Sequence, residues 1–285
     1  MISFKLYREF GALNSPPIFD AIQAGIVATG NRVVTEGEDV PVIWSVLWNG
    51  RMAGNRAVYQ RAIQEKRPIL IVEVGNLIRG RTWRISLNNV NGKGYFGNDD
   101  DLNESRPLAL NLKLFEKNTN RNSEILITGQ HEMSLQWEAQ PPMVRWVENT
   151  VRELRKYTDR PIKFRPHPRA KYGTSGQVSG IPIEVPRKIS GTYDDFDITY
   201  NYHCVINHNS GPGVHAAIYG TPIICDPSSL AFPVSGNFQN IESIDLPDRT
   251  NWFVKLTHTE WTQEEIARGI PLTRLLPEIQ RQLLG

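Results

Sequence analysis

Short apolar runs recur along the chain with helically spaced segments between them, and that alternation limits the fold more than any other feature. The runs are Ser3–Leu6, Pro41–Leu47, Pro68–Val74, Glu124–Thr128, Pro161–Phe164, His203–Asn207 and Pro222–Cys225. They are rich in Ile and Val and bounded by Pro, Gly or Asn, which suits strands covered on both faces. Ser15-Pro16-Pro17 offers an N-cap followed by prolines that a first helical turn tolerates, and Ile18, Ile22 and Ile26 then share one face. Val58, Tyr59, Ala62 and Ile63 mark a second helix, and Val144, Val147, Val151 and Leu154 a third. Near the end, Thr262-Gln263-Glu264-Glu265 fits a capping box. Strand and helix in alternation predict an α/β fold with largely parallel sheets.

The polar, aperiodic segment Glu116–Ser123 reads as a linker. Two Rossmann-like domains facing a cleft are therefore expected, residues 1–120 and 121–285, with terminal helices closing the chain. A length of 285 residues, 40% of them hydrophobic and 22% charged, fits a globular protein of that size. No apolar run approaches the roughly 20 residues of a bilayer span. The start, Met1-Ile2-Ser3-Phe4-Lys5, carries no signal-peptide pattern. A cytoplasmic protein is expected, with Cys204 and Cys225 as buried free thiols. The formal net charge of +2 conceals an uneven distribution: residues 51–84 alone carry +6 and the remainder −4. Partner choice follows local potential rather than the total. The plainer reading of this stretch is a solvated face with ordinary salt bridges.

Three strand ends in the second half carry polar or small residues, where open α/β sheets place ligands. The first runs into Gly129, Gln130 and His131. The second is Arg165-Pro166-His167-Pro168-Arg169, whose alternate residues point one way if the backbone is extended, presenting three potential cations to a phosphate. The third is Asn209-Ser210-Gly211-Pro212-Gly213, leading into a short helix whose N-terminal N–H groups suit an anion.

In their order and spacing, these segments, followed by Gly220-Thr221-Pro222, resemble the donor-binding domain of GT-B glycosyltransferases, in the flavour of capsular-polysaccharide transferases and glycerophosphotransferases. The tail Glu260–Gly269 looks like a C-terminal signature of phage and bacterial proteins of that group. Trp44–Met52 and Glu73–Gly80 are similar to phage proteins that glycosylate hypermodified DNA. The resemblance implies an enzyme that moves a sugar from a nucleotide-sugar donor to a hydroxyl, with a 5-hydroxymethylpyrimidine base in phage DNA as the acceptor. It places such a protein in the host cytoplasm.

In that setting Gly129, Gln130, His131, Arg165, His167, Arg169, Asn209, Ser210, Gly211 and Gly213 would bind the donor. Their cations and N–H groups would stabilise the leaving group, so neither a metal nor any other cofactor is expected. The sequence departs from the family pattern at Val214 and His215, near where an acidic residue often binds ribose. An inverting transfer needs a base in the first domain. Glu73, at the end of an apolar strand, is preferred, with Glu9 and Asp20 as the other candidates. Glu73 could equally pair with Arg79 or Arg81. Arg51, Arg56, Arg79, Arg81 and Trp83 would contact the acceptor, its phosphates held by the arginines and a base stacked on the Trp; the alternative for Trp83 is a core anchor.

Three further patterns carry less weight. Asp99-Asp100-Asp101 and Asp195-Phe196-Asp197 match a short metal-binding pattern that arises often by chance. His203 and His208 do not share a strand face, which argues against zinc with Cys204. No protein partner is implied. Two other functions remain open: a capsule-type polysaccharide or polyol-phosphate transferase, and a non-catalytic nucleic-acid-binding protein on the same scaffold.

Overall fold

The computed structural model describes residues 1–170, 176–187 and 198–285. In chain order the elements are β1 (Ser3–Leu6), α1 (Pro16–Ala28), β2 (Arg32–Val33), β3 (Val40–Trp44), α2 (Asn55–Gln64), β4 (Leu70–Val74), β5 (Thr82–Leu87), α3 (Arg106–Ala109), β6 (Ile125–Thr128) and α4 (Met143–Leu154). There follow β7 (Ile162–Arg165), β8 (Gln177–Val178), β9 (Ile181–Pro182), β10 (Cys204–Asn207), α5 (Gly211–Ile218), β11 (Ile223–Cys225), α6 (Thr250–Thr257), β12 (Glu260–Thr262), α7 (Gln263–Ala267) and α8 (Ile270–Leu284). All seven apolar runs contain strands, whose ends differ from the runs by at most three residues.

The chain divides into two compact units, residues 1–106 with 255–285, and residues 107–254. The first holds a six-stranded sheet in the order β12-β5-β4-β3-β1-β2. Strands β1 to β4 run parallel, whereas β5 and β12 are antiparallel to their neighbours. One face of this sheet buries Phe4, Val42, Trp44, Leu70, Val72, Trp83 and Trp261 with Phe19 and Ile22 of α1 and Leu272 and Leu275 of α8. The second unit holds a four-stranded parallel sheet in the order β11-β10-β6-β7. Ile125, Ile127, Phe164 and Ile206 on one of its faces pack with Met143, Val147 and Leu154 of α4. The mixed α/β class with parallel sheets is as expected.

Two expectations are corrected. The last thirty or so residues do not belong with residues 121–254, because β12 adds to the edge of β5, pairing Trp261 with Trp83 and Glu260 with Arg84. The expected capping box is present, Thr262 with Glu265, but it starts a helix of the first unit. Nor is Glu116–Ser123 a linker. Asn118 N–H donates to Gly220 O at 2.9 Å, Asn122 N–H to Asn201 O at 2.6 Å and Arg121 Nη1 to His203 O at 2.8 Å, so this polar stretch is bound into the second unit by its hydrogen bonds. The boundary falls after Arg106 instead of near 120.

Both sheets contain the same parallel order, with the first strand of each unit lying between its second and third. Such an order reverses direction between β1 and β3, and again between β6 and β10. Loops diverge at these points and leave a crevice at the carboxyl edge, the usual ligand position in open α/β sheets.

Candidate functional site

In the second unit the polar residues gather at the reversal between β6 and β10. The chain leaves β6 through Gly129, whose N–H donates to Arg165 O at 2.8 Å and whose missing side chain leaves room for the Phe164 ring. Gln130 follows, buried, and its Oε1 accepts Asn209 N–H at 3.3 Å. This bond spans the reversal and joins the loops after β6 and β10. Asn209 Nδ2 donates to Ser228 Oγ at 2.9 Å, and Ser228 Oγ donates to Asp226 Oδ1 at 2.6 Å. His208 Nδ1 stands 3.6 Å from Asp226 Oδ2, and its ring meets Trp137 edge to face. Asp226 was missed in the sequence. Its signal was legible, an acid immediately after the strand Ile223–Cys225, because that position is also a strand's carboxyl end.

His131 and His167 come together, their ring centroids 5.5 Å apart in edge-to-face contact. Met133 N–H donates to His131 Nδ1 and Arg169 N–H to His167 Nδ1, both at 3.2 Å. With Nδ1 accepting, each ring in its neutral form carries its proton on Nε2. Burial, and then the Arg169 charge, lower the His131 pKa below its ordinary value, which keeps that ring neutral near pH 7. With Nδ1 occupied, each ring leaves its Nε2–H to donate to a ligand.

The expected row of three cations does not form. Arg165 is 5% exposed, and its Nη1 pairs with Glu184 Oε1 at 2.7 Å. Tyr202 Oη donates to the same carboxylate. Beyond Arg165 the backbone turns, with Ala170 N–H donating to His167 O at 2.9 Å, so the two-residue alternation ends where the strand does. Arg169 is exposed and His167 half-buried.

The start of α5 is also less open than the sequence suggests. Ser210 is the N-cap residue but makes no side-chain capping bond, Pro212 has no N–H, and Gly213 N–H donates to Ser210 O at 3.2 Å. Gly213 is required there, since a Cβ would stand 2.3 Å from Asn207 Oδ1. Thr128 Oγ1, Asn207 Oδ1 and Asn209 Oδ1, all buried at these strand ends, have no hydrogen-bond partner among the described residues.

In the first unit the strand ends converge on Glu73 and Ser45. Ser45 Oγ donates to Glu73 Oε2 at 2.6 Å, and Glu73 Oε1 accepts Val74 N–H at 2.9 Å. Nearby in sequence, Asn55 Nδ2 donates to Trp44 O at 2.5 Å and Phe10 O at 3.1 Å, tying together the exits of β3 and β1. The other two base candidates have different settings. Asp20 is exposed on α1 and paired with Arg8 at 2.7 Å, and Glu9 is exposed in a single turn after β1.

The proposed acceptor surface changes most. Trp83 is 6% exposed within the core and cannot stack on a ligand. Arg84 is buried against Glu260 at 3.0 Å. Arg61 and Arg67 pair with Glu38, and Arg67 also with Glu65. Three cations of the basic stretch are thus matched by carboxylates. Arg51 is exposed and its Nε donates to Gly11 O at 3.3 Å; Arg56 and Arg81 are exposed, and the half-buried Arg79 reaches Gly75 O at 3.3 Å.

Glu260 was also missed as a structural centre. Fully buried, it accepts from Asn76 N–H at 2.6 Å, Leu77 N–H at 2.9 Å, Thr82 Oγ at 2.9 Å and Arg84 Nη2 at 3.0 Å. It thereby shapes the loop that carries Arg79 and Arg81. Gly75 lies so close that a Cβ would stand 2.4 Å from Glu260 Oε2.

Of the metal-like patterns, Asp99 pairs with Lys255 and Asp101 with Arg274, while Asp195-Phe196-Asp197 lies outside the described residues. His203 Nε2 bonds Ile241 O at 2.6 Å. Cys204 and Cys225 are free thiols. No helix among the described residues is long and apolar enough to cross a membrane.

A comparison with solved structures now bears on this architecture. The match to the β-Kdo 2,7 transferase of Thermosulfurimonas dismutans KpsC has a TM-score of 0.50 at 12% identity, covering 96% of this chain and 99% of that one. The chain is similar in fold to a solved transferase. The β-Kdo 2,4 transferase of the same protein follows at TM-score 0.48 and 14% identity, covering 99% and 98%. An S. aureus MnaA–UDP co-structure matches at TM-score 0.33 and 9% identity, covering 100% and 98%. At 12% identity the likeness to the 2,7 transferase concerns the fold alone. No family model matches the chain, and no curated protein does.

Proposed function

We propose that this protein is a glycosyltransferase that moves a sugar from a nucleotide-sugar donor to a hydroxyl. The observation that carries the reading is the Gln130–Asn209 hydrogen bond across the β6/β10 reversal, with the His131–His167 pair formed by the loops after β6 and β7. The imidazoles of His131 and His167, the exposed Arg169 and the start of α5 suit a phosphate that must be held and then released. In the first unit, Glu73 is the base. The acceptor oxygen bonds to the anomeric carbon, its proton passes to Glu73, and the bond to the donor phosphate breaks with its electron pair leaving on the nucleotide. The protein groups named carry this chemistry without a metal.

A carbohydrate hydroxyl of the capsule type is the favoured acceptor, because Arg61, Arg67 and Arg84 of the basic stretch are matched by carboxylates and Trp83 is core. The second reading, a 5-hydroxymethylpyrimidine in DNA, keeps the support of exposed Arg51, Arg56 and Arg81. The test incubates the protein with a panel of nucleotide sugars and two acceptor sets, capsule-type oligosaccharides and hydroxymethylated DNA, followed by mass analysis. Added hexose or ulosonate mass on the oligosaccharide is the expected result. Mass on the DNA alone would transfer the assignment to the second reading, and none on either would remove the transferase.

A further inference from the structure

The residue that holds Glu73 sits in a backbone conformation unusual for a serine. Ser45 follows β3 directly with φ 65°. Left-handed backbone is strained for a residue with a Cβ, so surrounding contacts must hold it there. At Ser45 those contacts are specific. Its N–H donates to Val72 O at 2.6 Å, prolonging the β3–β4 ladder past the strand's end. Its Oγ accepts Leu47 N–H at 3.1 Å, which leaves the hydroxyl proton for Glu73 Oε2 at 2.6 Å. With Val74 N–H on Oε1, each carboxylate oxygen has a donor. Ser45 is buried, whereas Glu73 is only half-buried and can meet a ligand.

We infer that Ser45 is a positioning residue for Glu73. Its left-handed turn aims the hydroxyl, and the hydroxyl fixes the carboxylate at the carboxyl edge of the sheet. The inference rests on the proposed glycosyl transfer and specifies how its base is held. Ser45 itself gains and loses no proton in the step: the acceptor's proton passes to Glu73, and the hydroxyl remains a donor to the other oxygen throughout. A hydroxyl is also the smallest side chain able to accept from Leu47 and donate to Glu73 together.

Two substitutions separate the hydroxyl from the backbone. Ser45→Ala keeps the left-handed strain and loses both bonds; Ser45→Gly relieves the strain and loses the same bonds. Both are expected to lower kcat about tenfold, the scale of one hydrogen bond to a charged group, with the donor KM unchanged. Circular dichroism and thermal unfolding check that each variant is folded. The deciding comparison is a double-mutant cycle with Glu73→Gln. If Ser45 acts through Glu73, the double variant Ser45→Ala/Glu73→Gln is no slower than Glu73→Gln alone. Losses that multiply, or wild-type kcat in Ser45→Gly, would overturn the inference while wild-type turnover leaves the transferase reading standing. A wild-type protein that transfers no sugar would overturn the reading and the inference together.

Discussion

The two sheets share a strand order but differ in what they do with polar groups. In the first unit, charge is turned inward: Arg84 meets Glu260 in the core, and Arg106 holds Glu265 while its guanidinium lies 4.0 Å from the Trp261 ring centroid. In the second, the strand ends carry amides, hydroxyls and imidazoles, Gln130, Asn209 and Ser228 linked by hydrogen bonds and His131 packed on His167. A buried charge needs an opposite partner, because an unpaired ion in the interior is far costlier than an unpaired amide. The first pattern serves the fold, and the proposed function gives the second a ligand to recognise. A basic stretch in sequence is a count of charges, and only their partners decide how many face a polyanion.

This contrast predicts that substitutions divide by unit. The largest effect on stability is expected from Arg106→Ala, which strands Glu265 and frees the Thr257 and Glu260 carbonyls that Arg106 binds at 2.7 Å. Removing one partner of a buried pair typically costs about 3–5 kcal/mol, readable by denaturant unfolding. A loss under about 1 kcal/mol would mean that these charges are solvated after all. Next, His131→Ala and His167→Ala are each expected to weaken donor binding about tenfold, the loss of one hydrogen bond to a charged phosphate, with little change in the unfolding midpoint. Titration calorimetry beside thermal melts reads both. A large fall in melting temperature with donor affinity intact would reverse the contrast.

A smaller effect concerns acid. Burial alone would raise the Glu265 pKa, but hydrogen bonds from Arg106 and the Thr262 N–H, with the Arg106 charge, outweigh it and the net shift is downward. A depressed folded pKa gives stability that is fully present above the unfolded carboxylate value and is lost as pH falls through the folded one. Unfolding free energy measured from neutral pH downward should therefore decline in the acid range, and Arg106→Ala should flatten that decline. The smallest effect is expected at Arg8–Asp20, an exposed pair whose removal should change stability by no more than about 0.5 kcal/mol.

Much of the fold was legible in the sequence because buried parallel strands are continuous apolar runs. Every such run became a strand. Strands β5 and β12 were not legible, since Thr82-Trp83-Arg84-Ile85-Ser86-Leu87 and Glu260-Trp261-Thr262 interleave polar residues whose partners lie across the pairing. The same blindness placed the C-terminal tail with residues 121–254. The strand ends at Gly129–His131 and Asn209–Gly213 carried a local signal, as did Asp226 after β11, which was missed. What sequence could not show was pairing over distance. Arg165 with Glu184, Arg84 with Glu260 and Ser45 with Glu73 are each separated by tens to well over a hundred residues. Each of those pairings changed the meaning of one member.

The most direct test of the account is calorimetric titration of a nucleotide-sugar panel into the wild-type protein and into the double variant His131→Ala/His167→Ala. The account predicts that at least one nucleotide sugar binds the wild type and that the double variant, still folded, binds it about a hundredfold more weakly, two such hydrogen bonds being lost. Equal affinity in the two proteins would contradict it, because the donor would then be held somewhere other than the carboxyl edge of the second sheet.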